Sequence, residues 1–544
     1  MLNKKNTVFL QYSVLLAILI IATFLRFFKL NYQSLWLDEI YSIVPADPKW
    51  PVSMIIEYCK KDQPPTYFLS LHYWFKYFPY TDFYGRVFSA ITGVLGVLAM
   101  FFLGKQFKDT YTGLFASFIT AINYFHIYYS QEVRFYSLLF LLTVVSYLFF
   151  LKCCKKPTAL NYIIYCLVAT ALIYTHYYGI IVLITQFVIF LLIIWKSERN
   201  WKFIIYSIAS GIIIILLFQP WIPILIKDSN IDPNLMWILP PKEFFLLEYL
   251  YNYFGKDPYQ FVLFFICTFI IIKEVFYYSG ENLKLNRRTI IRSTIIIICI
   301  LLILGKGIPH LRAIVPHEYV HVPLAIVYLI LFCLYLFKLP SKLFSENTID
   351  LKTIDQNIKV TFLILSTWGL MSYLIPYVRS LTSTPMLVER YTIISLPVIF
   401  MFLALGLRYI SNTKVLVSIL FLLIVSTVLN FTLFNKHYFS YHKGQFREAA
   451  LQVIRLNESQ TKVFSTLAWH YNFYFDQFNA NVDVIDPNSV DFAANIATEN
   501  KLWVLIGHGV PLSPEQNSLI TKDFQLKAKY SYYGDAYAEE YIRK

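Results

Sequence analysis

The chain has few charged residues. Only 15% of its 544 residues are charged, whereas 57% are hydrophobic. A soluble domain carries about 25% charged residues, so this composition cannot cover a water-facing surface and indicates a protein buried in lipid. It excludes an intrinsically disordered chain, a disulfide-rich secreted protein and a cytosolic enzyme.

Paired cysteines and a glycine-rich phosphate loop are also lacking. Six of the seven cysteines lie in or beside apolar runs and Cys59 stands alone, so no extracytoplasmic disulfide within the chain is expected. The short Gly507-His508-Gly509 string does not make a phosphate loop, and we predict no nucleotide site. No small-residue cleavage site follows the apolar run at residues 8–28, which predicts a retained anchor.

Long apolar runs are what the chain has instead. They recur up to Phe434 and predict an all-α polytopic membrane protein with about 13 transmembrane helices. The runs centre on residues 8–28, 84–104, 112–128, 133–151, 160–176, 179–195, 203–219, 259–278, 293–305, 319–337, 359–377, 391–408 and 415–434.

The orientation follows from the basic residues. Lys and Arg number 47 against 33 Asp and Glu, and those of the short loops, such as Lys105, Lys152 and Lys196, fall on one side of the membrane. The positive-inside rule makes that side the cytoplasm, so we expect no nucleic acid partner. We therefore expect a transmembrane domain at 1–434, which includes a first loop at 29–83, and a soluble tail at 435–544. Both the loop and the tail are expected on the extracytoplasmic side.

Two parts of these extracytoplasmic segments have predicted structure. Residues 67–78 are rich in Trp and Tyr and too short to span, which indicates an interfacial helix. The tail alternates helices and strands and predicts a small α/β domain. Its helices are expected at 446–455, 469–478, 490–498 and 513–521, and its strands at 461–466, 482–485, 502–506, 524–532 and 536–542.

Ionisable residues gather at the predicted extracytoplasmic ends of the spans. Such residues are functional candidates, because burying an unpaired charge is costly. They fall into five groups, which are Asp38-Glu39, Asp62 to Tyr67 with Gln63, Gln131 to Tyr136 with Glu132 and Arg134, His176-Tyr177, and Glu389-Arg390-Tyr391. Each group also has a structural interpretation. In the same order, these are a solvated acid pair, an acidic N-cap, a local Glu132–Arg134 pair, a hydrogen-bonded interface histidine and an arginine that reaches to the membrane surface.

A zinc protease is a remote alternative. His317, Glu318 and His321 satisfy the H-E-x-x-H pattern of two zinc ligands and a base. Pro316 and Pro323 leave barely one helical turn for it, and no third ligand follows at a known spacing.

The candidate groups together resemble one family. The strings SLWLDEIYS (34–42), DQPPTY (62–67), RVFSA (86–90), YSQEVRFYS (129–137), YTHYY (174–178) and ERY (389–391) occur in an order similar to that of the GT-C membrane glycosyltransferases. The nearest branch is the bacterial one related to protein O-mannosyltransferases and lipid A aminoarabinose transferases. The resemblance implies a fold of many helices, with the acidic first loop over a cavity at the outer membrane face.

The resemblance also implies a sugar donor carried on a polyprenyl phosphate and an acceptor that is a glycolipid, a glycan or a protein. Asp38 matches the family's catalytic acid position, with Glu39 beside it, and a carboxylate suits removal of the acceptor proton. For the phosphate, the residues themselves favour Arg134, His176 and Arg390. The other predicted donor-binding residues are Asp62, Gln63, Tyr67, Gln131, Glu132, Tyr136, Tyr177 and Tyr391.

One position departs from the family. Relatives often carry His or Lys before the Pro-Pro pair, whereas this chain has Gln63, which removes one cation from the loop. Asp62 with a histidine could hold a divalent metal ion, although no compact ligand cluster is visible, and no cofactor is otherwise predicted.

We therefore predict a glycosyltransferase in a bacterial plasma membrane, surrounded by membrane lipids and with its site facing outward. A transporter or flippase lined by the same charges is the alternative, but internal repeats and Gly/Pro-interrupted spans are not evident. The aromatic residues Trp469, Tyr471 and Tyr474 of the tail either recognise the acceptor or pack its core.

Overall fold

The computed structural model describes residues 4–61, 63–196, 200–230, 237–277, 357–457, 461–489 and 491–544. In these ranges, nine helices are long and apolar enough to cross a membrane, and Thr110–Ile122 and Ala159–Ile173 are shorter apolar helices. Helices suit such sequences because lipid offers no hydrogen-bond partner for the backbone. The predicted polytopic helical fold is confirmed, but the count of about 13 is not, because the spans at 293–305 and 319–337 lie outside the described residues.

Twelve α-helices lie in the described part of the chain between Lys4 and Ser229. They are α1 (Lys4–Phe27), α2 (Leu37–Ile43), α3 (Val52–Cys59), α4 (Thr66–Phe75), α5 (Asp82–Phe107), α6 (Thr110–Ile122), α7 (Tyr124–Ser130), α8 (Tyr136–Lys155), α9 (Ala159–Ile173), α10 (Tyr178–Lys196), α11 (Trp201–Phe218) and α12 (Ile222–Ser229). The expected first loop therefore holds three short helices, of which α4 is the predicted interfacial helix.

The apolar run at 112–128 forms two helices rather than one. The side chain of Asn123 accepts a hydrogen bond from the backbone N–H of His126 and caps a new helix there. This break ends α6 and starts α7, which leads into the polar junction before α8. An apolar pattern cannot reveal the break, because both sides of it are equally apolar.

Five further helices of the membrane region follow. They are α13 (Phe245–Tyr253), α14 (Pro258–Tyr277), α15 (Ile358–Thr382), α16 (Leu396–Arg408) and α17 (Thr413–Leu429). A 3₁₀ segment, Glu389–Ser395, leads into α16. Every residue of α16 from Leu396 to Leu407 is buried, so this helix forms the centre of the described bundle.

The tail folds as an α/β unit, as predicted. It contains α18 (Phe446–Leu456), α19 (Ala468–Gln477), α20 (Phe492–Ala497) and α21 (Pro514–Asp523), together with β1 (Val463–Phe464), β2 (Val484–Ile485), β3 (Lys501–Ile506), β4 (Phe524–Tyr532) and β5 (Ala536–Arg543). The strand order is β2-β1-β3-β5-β4, with β2, β1 and β3 parallel and the last two antiparallel. Parallel strands need crossover helices, which α19 and α20 supply.

This α/β unit packs directly on the first loop. The hydroxyl of Tyr474 on α19 accepts a hydrogen bond from the backbone N–H of Leu35 at 2.7 Å, and Arg447 on α18 pairs with Asp82 at 3.0 Å. Tyr474 and its neighbour Tyr471 are fully buried, so both belong to the packing of the unit. The unit therefore covers the segment that leads into α2.

Candidate active site

Helix α2 presents the two adjacent acids of the first loop in different environments. The carboxylate of Asp38 pairs with the guanidinium of Arg390 at 3.2 Å, and the two side chains are 21% and 20% exposed. This pair is open enough to meet a ligand. It joins the first loop to the 3₁₀ segment before α16, about 350 residues further along the chain.

Arg134 lies on the other side of Asp38. It follows α7 in a tight junction, and its Nη1 donates hydrogen bonds to the backbone carbonyl of Asp38 at 3.2 Å and to Ser42 Oγ at 2.9 Å. Burial opposes its charge, but nearby Tyr136 and Asp38 raise the pKa of Arg134 above its usual value. A charged guanidinium is therefore held against the backbone of α2.

Aromatic rings surround the guanidinium of Arg390. Its carbon lies 5.1 Å from the ring centroid of Trp237 and 5.7 Å from those of Trp36 and Tyr391. Rings at these distances stabilise a cation and limit its movement. Arg390 is thus held by Asp38 on one side and by rings on the others.

His176 lies in the junction between α9 and α10. Its ring stacks on Phe135 at 4.5 Å and lies 4.6 Å from Tyr391. Burial and, to a smaller extent, the neighbouring guanidinium groups together lower the pKa of His176 to about 3, so the ring is neutral. The N–H of Tyr178 donates to Nδ1 at 3.2 Å, which leaves the ring proton on Nε2 and makes that atom a hydrogen-bond donor.

Glu39 has no exposed surface. Arg86 binds both of its oxygens at 3.0 Å, Lys443 lies 3.0 Å from Oε2, and the N–H of Val133 donates to Oε1 at 2.9 Å. Burial alone would raise the pKa of Glu39, but the charges of Arg86 and Lys443 lower it overall. Lys443 also pairs with the buried Glu132 at 3.1 Å, and burial raises the pKa of Glu132.

Tyr67 and Gln131 use their polar atoms within the protein. The hydroxyl of the buried Tyr67 lies 3.1 Å from Ser89 Oγ. The amide of Gln131 donates to the carbonyl of Arg26 at 3.0 Å, and its oxygen lies 2.8 Å from His437 Nε2. These contacts join the first loop, α1 and α5.

The remaining predicted residues differ in where they point. The hydroxyl of Tyr177 donates to Asp228 at 2.7 Å, away from Asp38's partners. The ring of Tyr136 lies 6.5 Å from that of Tyr391, and among the described residues its buried hydroxyl has no hydrogen-bond partner. Gln63 Oε1 is likewise buried without a partner in the part of the chain that is described.

One family model matches part of the chain. Residues 62–224 match the family model described as dolichyl-phosphate-mannose-protein mannosyltransferase. Over these residues the chain is similar to that family of membrane glycosyltransferases. The match includes the junctions that carry Arg134 and His176, and no curated protein matches the chain.

Two solved membrane-protein structures have a distant likeness to the chain. The oligosaccharyltransferase AglB from Archaeoglobus fulgidus, in complex with an inhibitory peptide and a dolichol-phosphate, has 11% identity and a TM-score of 0.47, over 98% of this chain and 74% of that one. ArnT from Cupriavidus metallidurans, bound to undecaprenyl phosphate, has 10% identity and a TM-score of 0.44, over 99% of this chain and 98% of that one. Scores below 0.5 describe a distant likeness and assign no residue.

Two cations near the site had no predicted role. Arg86 belongs to one of the strings that resemble the family, but its partner Glu39 is not apparent from the sequence. Lys443 lies in the segment before α18 and nothing in its surroundings distinguishes it from other lysines. Only folding brings both of them to Glu39.

The metal alternatives stay predictions. Asp62 and the His317-Glu318-His321 motif lie outside the described residues. Within the described ranges, no three side chains of His, Cys, Asp or Glu gather as a metal site would require. The site that can be described is therefore one carboxylate, two guanidinium groups and one neutral imidazole.

Proposed function

We propose that this GT-C relative transfers a sugar from a polyprenyl-phosphate-linked donor to a hydroxyl of a glycolipid, glycan or protein. The observation that carries the proposal is the half-open Asp38–Arg390 pair with Arg134 behind it. A carboxylate beside two guanidinium groups combines a proton acceptor with donors suited to phosphate.

The chemistry assigns one role to each group. The acceptor oxygen attacks the anomeric carbon, its proton passes to Asp38, and the bond between that carbon and the phosphate oxygen breaks. The polyprenyl phosphate leaves with the bonding electrons, and Arg390 and Arg134 stabilise the resulting charge. His176 contributes a hydrogen bond from the Nε2–H of a neutral ring rather than a third cation.

We assign Glu39 a structural role instead of proton transfer. Both of its oxygens are already occupied by donors, and it has no exposed surface. Accepting a proton there would break the pairs with Arg86 and Lys443, which is costly in a buried site. Asp38 is therefore the single base in this proposal.

An apolar cavity next to the site suits the lipid part of the donor. It has a volume of about 670 Å³ and is lined by α9, α10 and α11, including Ile173, Ile180, Phe187 and Phe218. His176 lies in the junction between α9 and α10, so a chain in this cavity ends close to the phosphate-binding groups. We assign the cavity to the isoprenoid chain.

The basic loops support an outward-facing site in a bacterial plasma membrane. Lys105 and Lys152 lie near the ends of α5 and α8 that are remote from α2, and the positive-inside rule places those ends in the cytoplasm. A lipid-carried donor fits this orientation because nucleotide sugars are cytoplasmic.

The experiment measures release of undecaprenyl phosphate from undecaprenyl-phosphate hexoses and pentoses, with an envelope extract as acceptor. Asp38→Asn removes the base, so we expect the transfer rate to fall by about 10²–10⁴-fold. Glu57→Gln is the matched control, because Glu57 is an exposed acid of the same loop that pairs only locally with Lys60. Undiminished transfer by the Asp38→Asn variant would contradict the proposed base.

The same preparation in proteoliposomes separates this proposal from transport. We expect a new glycosidic bond, detected by mass spectrometry of the acceptor. Movement of labelled donor across the bilayer without such a bond would favour a flippase.

A further inference from the structure

Lys443 connects the tail of the chain to both sides of the candidate site. Its side chain is 6% exposed, and Nζ lies 3.0 Å from Glu39 Oε2 and 3.1 Å from Glu132 Oε1. Glu39 belongs to the first turn of α2, whereas Glu132 belongs to the junction before α8. One ammonium group therefore bridges two separate segments.

The charges of this cluster balance only when Lys443 is present. Glu39 and Glu132 are buried acids, and Arg86 pairs with Glu39. Among the described residues, Lys443 is the one cation within ion-pair distance of Glu132. Without it, two carboxylates would face one arginine in a site that water does not reach, which is strongly unfavourable.

The two bridged segments each carry a group of the proposed site. Asp38 directly precedes Glu39, and Arg134 follows Glu132 by two residues. The segments also bind each other, because the N–H of Val133 donates to Glu39 and Arg134 donates to the carbonyl of Asp38. The contacts form a closed ring in which Lys443 is the only member from the tail.

We propose that Lys443 is a positioning residue that holds the carboxylate of Asp38 and the guanidinium of Arg134 in a fixed relation by bridging Glu39 and Glu132. The proposal rests on the transferase function proposed above. It makes the α/β unit part of the working site, since its leading segment supplies the second cation of the buried cluster beside Arg86 of α5.

The first experiment removes the charge and keeps most of the side-chain volume. In Lys443→Met we expect kcat to fall by about 100-fold, since small misplacements of reacting groups cost this much, while the donor KM changes by less than about fivefold. Lys527→Met is the control, because Lys527 is an exposed lysine of the tail whose partner Glu540 keeps Lys501. Equal rates in the Lys443 variant and wild type would overturn the proposal.

A second variant separates positioning from simple loss of packing. Lys443→Met combined with Glu132→Gln restores the charge balance, because neither carboxylate is then left without a counter-charge. We expect the kcat of this double variant to be at least about tenfold higher than that of Lys443→Met alone. Additive losses in the double variant would show that the bridge is not what matters. If the single variant fails to fold, the double variant is measured alone, and a rate below one hundredth of wild type would then contradict the proposal.

Hydrogen exchange tests the same inference without any substrate. In Lys443→Met we expect amide exchange at residues 37–43 and 131–135 to accelerate by about tenfold, with the amides of α16 unchanged, because the ring of contacts opens locally. Unchanged exchange in both segments would overturn the positioning role. Absence of sugar transfer by the wild type would instead contradict the proposed function and leave this readout intact.

Discussion

Two adjacent acids of α2 illustrate how one short helix serves two purposes. Glu39 is fully buried and bound by Arg86, Lys443 and a backbone N–H, whereas Asp38 is 21% exposed and, among the described residues, forms an ion pair with Arg390. The buried acid holds α2 through its partners, and the partly exposed acid is the one that we propose for the chemistry. Neighbouring identical-looking carboxylates thus differ because of their partners, not because of their own type.

This difference predicts opposite outcomes on the two sides of α2. Changes around Glu39 are expected to lower the free energy of unfolding, because they leave a buried charge unpaired. Changes around Asp38 are expected to alter transfer and to leave the fold nearly intact. The following variants test that contrast.

The largest effect on stability is expected from Arg86→Met. It leaves Glu39 with Lys443 as its one cation among the described residues, and breaking a buried pair in this way lowers the free energy of unfolding by about 3–5 kcal/mol. Thermal unfolding in detergent measures it. The control is Lys60→Met, which removes an exposed pair with Glu57 worth about 0–1 kcal/mol. Equal shifts in the two variants would remove the distinction between the buried and the open acid.

Arg390→Gln is expected to affect transfer rather than folding. Loss of a cation that stabilises the leaving phosphate lowers the rate by about 100-fold or more, while the half-exposed pair with Asp38 contributes less than about 1 kcal/mol to stability. Arg408→Gln is the matched control, since Arg408 ends α16 at its other end and pairs with Asp109. Comparable rate losses in both variants would argue against a specific phosphate site.

A smaller effect, visible in the pH dependence of stability, is expected from His470→Phe. The ring of His470 is buried against Tyr41 of α2, and burial, with His508 nearby, lowers its pKa to about 3. The unfolded chain binds the proton first as pH falls below about 6.5, so this histidine destabilises the fold on acidification, by about 1–2 kcal/mol at pH 5.

The Phe variant is therefore expected to lose less stability than wild type between pH 7 and pH 5, as measured by thermal unfolding. If the dependence of stability on pH is the same in the variant and the wild type, water reaches His470 at the contact between the tail and α2. That result would weaken the view that the tail closes the buried side of this helix.

Tyr67→Phe is expected to have the smallest effect. It removes a hydroxyl that lies 3.1 Å from Ser89, a hydrogen bond worth about 1 kcal/mol, and leaves the donor KM unchanged. Ser89→Ala should cost a similar amount, and the double variant little more. A rise in donor KM confined to the Tyr67 variant would restore the predicted donor contact.

Much of the fold could be predicted because hydrophobic patterning is local. The apolar runs predicted the described helices of the membrane region, and the strands predicted at 502–506, 524–532 and 536–542 correspond to β3, β4 and β5. The division between α6 and α7 could not be predicted, since it depends on a single capping side chain, Asn123.

The site was less accessible to such reasoning. Charge and position drew attention to Asp38, Arg134 and Arg390, which the fold brings into contact, although their roles stay predictions. The difference between Asp38 and Glu39 was not visible, because the partners of Glu39 lie 47 and 404 residues away. Long-range pairing of this kind leaves no local signal.

The separation of 404 residues between Glu39 and Lys443 also bears on biosynthesis. A ribosome delivers the first loop and Arg86 long before it delivers Lys443, so a nascent polypeptide holds Glu39 and Glu132 with one of their two paired cations still missing. If Lys443 positions the site as we propose, transfer is expected only after translation has passed residue 443.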